Sequence, residues 1–184
     1  MPGLQHRPFL TPIWLSVFGA FVVVCTLSFA AWFWGTADST TIVVVRHAEK
    51  ELAAGDDPPL TQAGEARAAL LANMFGNGAP GGINAIYVSP TLRSRMTAAP
   101  LAKRLGLTPL VVPAEDPVAL AKRVLREHEG ERVLVVGHSD TVPLIVQTLA
   151  GVKSIPPMAD DEYGTLYIVT VPRIGRENLL KLTY

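Results

Sequence analysis

The residues best able to do chemistry in this sequence follow short apolar runs that are typical of buried strands. Arg46 and His47 come directly after IVVV, Arg93 comes soon after AIYV, and His138 follows VLVVG. Two arginines at one site require an anion, because like charges in a partly dry pocket are costly unless a negative group lies between them. The guanidinium fork matches phosphate oxygens two at a time, so the predicted guest is a phosphoryl group.

The two histidines predict phosphoryl transfer through the protein itself. A neutral imidazole nitrogen is a competent nucleophile toward phosphorus, and a second, protonated imidazole stabilises charge on the phosphoryl oxygens. The leaving alkoxide then needs a proton, which a carboxylic acid at the mouth of the site can supply. Three carboxyl groups are candidates on sequence grounds: Glu115, Asp140 and Glu49.

An alternating pattern of strands and helices places these residues. Six strands are predicted, at Ile42 to Val45, Ala85 to Val88, Leu110 to Val112, Val133 to Val136, Leu166 to Val171 and Leu179 to Leu182. Four helices are predicted between them, from a cap at Thr61 to before Gly76, from about Thr91 to Leu105, from Asp116 to about His128, and from Thr141 to Leu149. Pro100 is expected to kink or divide the second helix.

This alternation predicts an α/β fold, a three-layer α/β/α sandwich with a mostly parallel sheet. Ligands of such sheets bind outside the carboxyl ends of the strands. The arginines and histidines named above all follow strand ends, so we expect them at one edge of the sheet together with Glu115. His128 lies at a predicted helix end and is expected to be a solvated residue near the negative pole of the helix dipole.

An apolar segment precedes the predicted domain. Ile13 to Trp34 contains no charged residue, and a helix of that length, at about 1.5 Å per residue, spans roughly the 30 Å hydrocarbon core of a bilayer. A single transmembrane helix is predicted; the alternative is a signal peptide cleaved near Ala37, for which the segment is longer than usual. Arg7 precedes the span, so the positive-inside rule places the domain outside the cytoplasm, in the periplasm.

The predicted organisation is a short tail at 1–12, the apolar helix at 13–34, a linker at 35–39 and one domain at 40–184. The chain has 16 Lys and Arg against 16 Asp and Glu. Because there is no basic tract, no nucleic-acid partner is expected. Cys25 is the only cysteine and lies in the apolar segment. A single cysteine excludes an intramolecular disulfide and a cysteine metal cluster.

Four motifs, in this order and spacing, resemble the histidine phosphatase superfamily, also called phosphoglycerate mutase-like: VVVRHAEK, PPLTQAGEARA, VSPTLRSRMTAAPLA and VLVVGHSDTVP. The chain is similar to a membrane-anchored member of bacterial type. The resemblance implies that His47 becomes phosphohistidine, that Arg46 and Arg93 bind the phosphate, and that His138 completes the pocket. Water then hydrolyses the phosphohistidine, with no metal and no cofactor. Ser139 is a further expected contact to the substrate.

The chain departs from the family pattern at several positions. Ala48 stands where members most often carry Gly after the Arg-His pair. A further pocket arginine is common within the next couple of dozen residues, yet no cation lies between Lys50 and Thr61, so Lys50 is the expected substitute. Glu115 occupies the place after the third strand where many members keep their acid, which makes it the preferred proton donor over Asp140.

The predicted activity is therefore hydrolysis of a phosphomonoester, on a small molecule, glycan, lipid or protein. One alternative is a serine α/β-hydrolase, because GHSDT nearly matches a nucleophile elbow with Ser139 as the nucleophile. Thr141 replaces the last glycine of that motif, and no histidine follows His138 in the chain. A second alternative is a pseudoenzyme that binds phosphate without turnover. Mutase activity is less expected, because this domain is near the minimum size for the fold.

Overall fold

The computed structural model describes residues 13–35, 39–52, 55–77 and 82–184. It divides into two compact units, residues 1–37 and 38–184. In the first unit, helix α1 covers Ile13–Gly35. Its segment Trp14–Phe33 has a mean hydropathy of 2.1 and is long and apolar enough to cross a membrane. An amino-terminal signal sequence would have the same features. The predicted tail at 1–12 lies outside the described residues.

The second unit is built on one six-stranded sheet. Its strands are β1 (Ser39–Arg46), β2 (Ala85–Val88), β3 (Leu110–Val111), β4 (Arg132–Gly137), β5 (Thr165–Pro172) and β6 (Asn178–Thr183). They lie in the order β3-β2-β4-β1-β5-β6. The first four strands are parallel to one another, whereas β5 and β6 form an antiparallel pair at one edge. The predicted fold class, a mostly parallel α/β sheet, is confirmed.

Helices cover both faces of the sheet. They are α2 (Gln62–Phe75), α3 (Leu92–Leu105), α4 (Pro117–Glu127) and α5 (Thr141–Ala150). Successive strand residues point to opposite faces, so Val43 and Val45 pack with α2 and α3, whereas Ile42 and Val44 pack with α4 and α5. Burial on both faces explains why the central strands are apolar without alternation.

Two details of the predicted elements differ from the structure. Pro100 does not divide its helix, because α3 runs without interruption over Leu92–Leu105; the alternative, a kink at Pro100, stays a prediction. Ala98 and Leu101 are fully buried on either side of it, and this packing outweighs the lost backbone hydrogen bond. The third strand is also shorter than predicted. It contains only Leu110–Val111 at the sheet edge, where it has one neighbouring strand to pair with.

Candidate active site

The carboxyl ends of β1 and β4 form the floor of an open cavity. Arg46 and Gly137, the last residues of these strands, are paired in register, and the His47 backbone N–H donates to the Gly137 carbonyl at 2.9 Å. The cavity has a volume of about 480 Å³ and a polar lining formed by Arg46, His47, Lys50, Arg93, His138, Ser139, Asp140 and Asp160. Three separate segments after β1, β2 and β4 thus meet at the edge that the sequence predicts.

His47 is held as a neutral imidazole with one nitrogen available. The residue is 3% exposed, and its Nδ1 lies 2.8 Å from the Ala48 carbonyl oxygen. A carbonyl can only accept, so Nδ1 carries the proton and Nε2 keeps a lone pair. Burial, followed by the positive charges of nearby groups, lowers the pKa of His47 to about 4. The ring therefore has the protonation state that a nucleophile needs at neutral pH.

Arg46 is clamped by the loop that leads into β5. Its Nη1 donates to the carbonyl oxygens of Ala159 at 2.8 Å and Glu162 at 3.3 Å. The Tyr163 ring lies under the guanidinium carbon at 4.3 Å, close enough for a cation–π contact. The Nε atom is buried and has no hydrogen-bond partner within the part of the chain that the structure describes. A buried donor without a partner is rare in folded proteins and is found more often at functional sites than in structural ones.

Arg93 approaches the cavity from the first turn of α3. Its Nε is also buried and unpartnered among the described residues, and its Nη1 lies 3.6 Å from Asp57 Oδ1. The Asp57 carboxylate also accepts from the Leu92 backbone N–H, at 2.8 and 3.0 Å to its two oxygens. Asp57 therefore occupies the Leu92 backbone donor at the start of α3.

His138 is supported by a short chain of buried hydroxyl groups. Its Nε2 lies 2.8 Å from Ser89 Oγ, and Ser89 Oγ donates to Ser94 Oγ at 2.8 Å. Because the Ser89 proton points to Ser94, we assign His138 Nε2 as the donor to Ser89. The pKa of His138 is lowered, first by burial and then by Arg93. The ring centroids of His138 and His47 are 5.3 Å apart, so one phosphoryl group can contact both rings.

The second motif positions the backbone that follows His47. A Cβ on Gly64 would clash with the Glu49 carbonyl oxygen, which explains why α2 carries glycine there. Thr61 N–H donates to the same carbonyl at 2.9 Å. The Ala48 N–H donates to Thr97 Oγ1 at 2.9 Å, and the Ala48 methyl group is buried in a small apolar cluster. The replacement of the usual glycine is therefore accommodated by packing.

The structure brings together most of the residues predicted for the site, but not all of them. Lys50, Ser139 and Asp140 line the cavity with the arginines and histidines. Glu49 does not line it, because its carboxylate is paired with Arg67 at 2.6 Å, and the side-chain hydrogen bond from Arg67 lowers the pKa of Glu49. Glu115 is exposed beyond β3 and is not among the residues that line the cavity.

Sequence reasoning missed Asp160 as a lining residue and Asp57 as a support. Asp160 belongs to a loop before β5, and no apolar strand end marks it in the sequence. The described residues contain no group of three or more His, Cys, Asp or Glu side chains that could hold a metal ion. Ser139 makes no hydrogen bond to either cavity histidine in the described chain, where the His138 ring contacts Ser89 instead.

Comparison with known proteins places this site in context. Residues 42–115, which include His47 and Arg93, match the family model of the histidine phosphatase superfamily (branch 1). The predicted resemblance to this superfamily is confirmed. No curated protein sequence matches the chain.

Solved structures with the histidine phosphatase fold agree over most of the chain. The protein histidine phosphatase SixA in complex with tungstate has 24% identity, a TM-score of 0.61, and coverage of 78% of this chain and 96% of its own. A mycobacterial glucosyl-3-phosphoglycerate phosphatase has 14% identity, a TM-score of 0.60, and coverage of 77% and 97%. A mycobacterial hydrolase has 14% identity, a TM-score of 0.62, and coverage of 79% and 99%. At these identities the comparison shows the fold alone.

Proposed function

We propose that this chain is a phosphatase that hydrolyses a phosphomonoester through a phosphohistidine intermediate on His47. The observation that carries the proposal is the neutral His47 ring, with its Nε2 lone pair available, in a cavity that also holds two arginines with unpartnered buried Nε donors. An anion with several oxygens matches two guanidinium groups that line one cavity, and a phosphoryl group adds an electrophilic centre for the imidazole.

Binding in this proposal rests on the cavity cations. Arg46 and Arg93 donate to the phosphoryl oxygens, and Lys50 supplies the charge that a further arginine would supply in other members of the superfamily. Arg46 keeps its orientation because Nη1 and the guanidinium face are already held by the loop before β5. Because Arg46 is already ordered, less side-chain conformational entropy is lost when the substrate binds.

The chemistry occurs in two transfers. The His47 Nε2 lone pair forms a bond to phosphorus while the bond to the alcohol oxygen breaks, and the alcohol leaves with a proton. Water then attacks the phosphohistidine, and the electron pair of the P–N bond returns to His47. A phosphoryl dianion in the cavity favours the protonated form of His138, which then stabilises the oxygens in both transition states. The proposed mechanism uses no metal and no cofactor, because the side chains named here neutralise the charge.

The structural neighbours are consistent with a phosphorylated substrate. Tungstate, which is bound in the SixA structure, is a tetrahedral oxyanion like phosphate. The mycobacterial neighbour is named a glucosyl-3-phosphoglycerate phosphatase, and SixA is named a protein histidine phosphatase. The cavity of this chain is open and polar, so a small molecule, glycan, lipid or protein that presents a phosphate group fits the proposal.

We place the proposed phosphatase domain, residues 40–184, outside the cytoplasm, anchored by the helix at 13–34. The support is the apolar length of that helix and the single cation, Arg7, before it. A phosphatase reporter that works only outside the cytoplasm, fused after Tyr184, should be active. A silent reporter would reverse the orientation. Sequencing of the amino terminus of the mature protein would show cleavage near Ala37 if the helix is a signal peptide.

The activity test uses the full chain in detergent with 4-nitrophenyl phosphate and excess EDTA. Wild type and Ser139→Ala should release nitrophenol, and His47→Ala should not. If Ser139→Ala loses activity and His47→Ala keeps it, the result would favour a serine hydrolase over the proposed phosphatase. A folded wild type that binds phosphate but hydrolyses no phosphate ester would leave a phosphate-binding pseudoenzyme.

A further inference from the structure

Asp160 is a carboxyl group in the cavity without a partner in the protein. It lines the same space as His47, His138 and the arginines, yet its carboxylate makes no hydrogen bond or ion pair to any residue that the structure describes. Exposed acids without partners are ordinary on a protein surface. A free carboxyl group that lines the same cavity as His47 and two arginines is uncommon, and a carboxyl group at a reaction site can exchange a proton with a reacting oxygen.

The other acids near the cavity each have a different task. Glu49 is an ionised partner of Arg67. Asp57 caps α3 and lies beside Arg93. Asp140 also lines the cavity, where its negative charge acts to raise the pKa of His138. A proton donor must instead be neutral when the leaving group departs.

The loop that carries Asp160 is hydrogen-bonded to Arg46, an arginine of the proposed phosphate site. Arg46 donates to the carbonyl oxygens of Ala159 and Glu162, the residues on either side of the Asp160-Asp161 pair. Glu162 N–H donates back to the Ala159 carbonyl at 3.1 Å, which closes the turn. The side chain that binds the phosphoryl group therefore also fixes the backbone that presents Asp160.

From this arrangement we propose that Asp160 is the proton donor to the leaving group, a role that rests on the proposed function. In the first transfer the P–O bond breaks, its electron pair stays on the alcohol oxygen, and that oxygen takes the Asp160 proton. In the second transfer the Asp160 carboxylate accepts a proton from water as the water oxygen bonds to phosphorus and the P–N electron pair returns to His47. The step requires Asp160 to carry a proton when the substrate alcohol leaves.

The test varies the basicity of the leaving group at nearly constant size. Full-length wild type, Asp160→Asn and Asp161→Asn are assayed in detergent with 4-nitrophenyl phosphate, whose leaving anion is weakly basic, and with benzyl phosphate, whose alkoxide is strongly basic. Asp160→Asn should lower kcat/KM by about 100-fold or more for benzyl phosphate, the usual contribution of a general acid. It should leave kcat/KM for 4-nitrophenyl phosphate within about threefold, because that anion departs without a proton.

Asp161→Asn is the matched control, since Asp161 is the next residue of the same turn and does not line the cavity. Asp161→Asn should have the wild-type kcat/KM for both substrates. Asp160→Glu should have a higher kcat/KM for benzyl phosphate than Asp160→Asn. Equal loss of both activities in Asp160→Asn, no loss at all, or a selective loss in Asp140→Asn instead would overturn the assignment. Each of these outcomes leaves the proposed function standing if wild type is active and His47→Ala is not. An inactive wild type on both esters would overturn the function and the assignment together.

Discussion

The two ends of the parallel strands carry similar types of polar residue, but the hydrogen bonding of these residues differs between the ends. At the carboxyl end, which we call the catalytic edge, the Nε atoms of Arg46 and Arg93 are buried without partners in the described chain. At the amino end lies a cluster that we call the amino-edge cluster, formed by Tyr87, Arg123, Glu127, His128 and Glu131. Its polar groups are matched to one another.

Side-chain hydrogen bonds join the members of the amino-edge cluster to one another. His128 Nε2 lies 2.9 Å from the Tyr87 hydroxyl oxygen, and Nδ1 lies 2.6 Å from Glu131 Oε2. Arg123 Nε donates to Glu127 Oε2 at 2.9 Å. The prediction that His128 is simply a solvated residue is therefore wrong, because its side chain is only 14% exposed and both ring nitrogens are engaged. Matched polar groups are typical of a structural cluster, whereas unmatched buried donors are uncommon in one.

The arginines give the largest expected contrast between the two ends. Arg93→Met should lower kcat/KM for 4-nitrophenyl phosphate by about 100- to 1000-fold, the cost of removing one preorganised donor to transition-state charge. Arg123→Met, at the amino-edge cluster, should leave kcat/KM within about twofold. Steady-state kinetics on both variants make the comparison. Similar losses would mean that the two ends do not differ in function.

The pH dependence of stability should be sensitive to His47. Its pKa in the folded protein is about 4, below the roughly 6.5 expected in the unfolded chain. Between these values the unfolded chain binds more protons, so the free energy of unfolding should fall as the pH falls from about 6.5 to 4, by at most roughly 3 kcal/mol. Thermal unfolding followed by circular dichroism should show that the free energy of unfolding falls less with pH in His47→Asn than in wild type. Ser139→Ala is the control and should show the same fall as wild type. A fall of wild-type size in His47→Asn would contradict the buried neutral ring.

His128 should matter for stability and not for turnover. His128→Ala removes the hydrogen bonds to Tyr87 and Glu131, so the free energy of unfolding should fall by about 1 to 2 kcal/mol. The thermal midpoint should drop by several degrees, while kcat/KM of the folded protein at 25 °C stays within about twofold. A selective loss of turnover at unchanged stability would show that the amino-edge cluster takes part in the reaction.

The smallest expected effect concerns the ring that orients Arg46. Tyr163→Leu removes the aromatic face that lies 4.3 Å from the guanidinium carbon, so kcat/KM should fall by about fivefold, corresponding to a cation–π contact of about 1 kcal/mol. Tyr163→Phe keeps the face and should resemble wild type. If both variants lose activity equally, the hydroxyl group matters rather than the ring.

Sequence reasoning succeeded where local pattern and strand topology were sufficient. The apolar runs ending in Arg46 and Gly137 predicted parallel strands, and their carboxyl ends bring Arg46, His47, Arg93 and His138 to one cavity as expected. Each of these residues follows a strand end, so its position depended only on the order of the strands.

The rest depended on contacts between distant segments. Asp160 reaches the cavity because β5 runs antiparallel to β1, which brings the loop before it beside Arg46. Glu49 pairs with Arg67 of α2 across the chain, and no local pattern shows that pairing. His128 is paired with the hydroxyl group of Tyr87 in β2, and the two residues lie far apart in the chain. Tertiary packing also kept α3 continuous through Pro100.

The most direct test of the account is detection of the phosphorylated residue. The full chain is mixed with 4-nitrophenyl phosphate, quenched in alkali, in which a P–N bond survives, and digested for mass spectrometry. The account predicts phosphate on the peptide that contains His47, lost after brief acid treatment and absent from His47→Ala. Phosphate on Ser139, or turnover by wild type without any phosphate on His47, would contradict it.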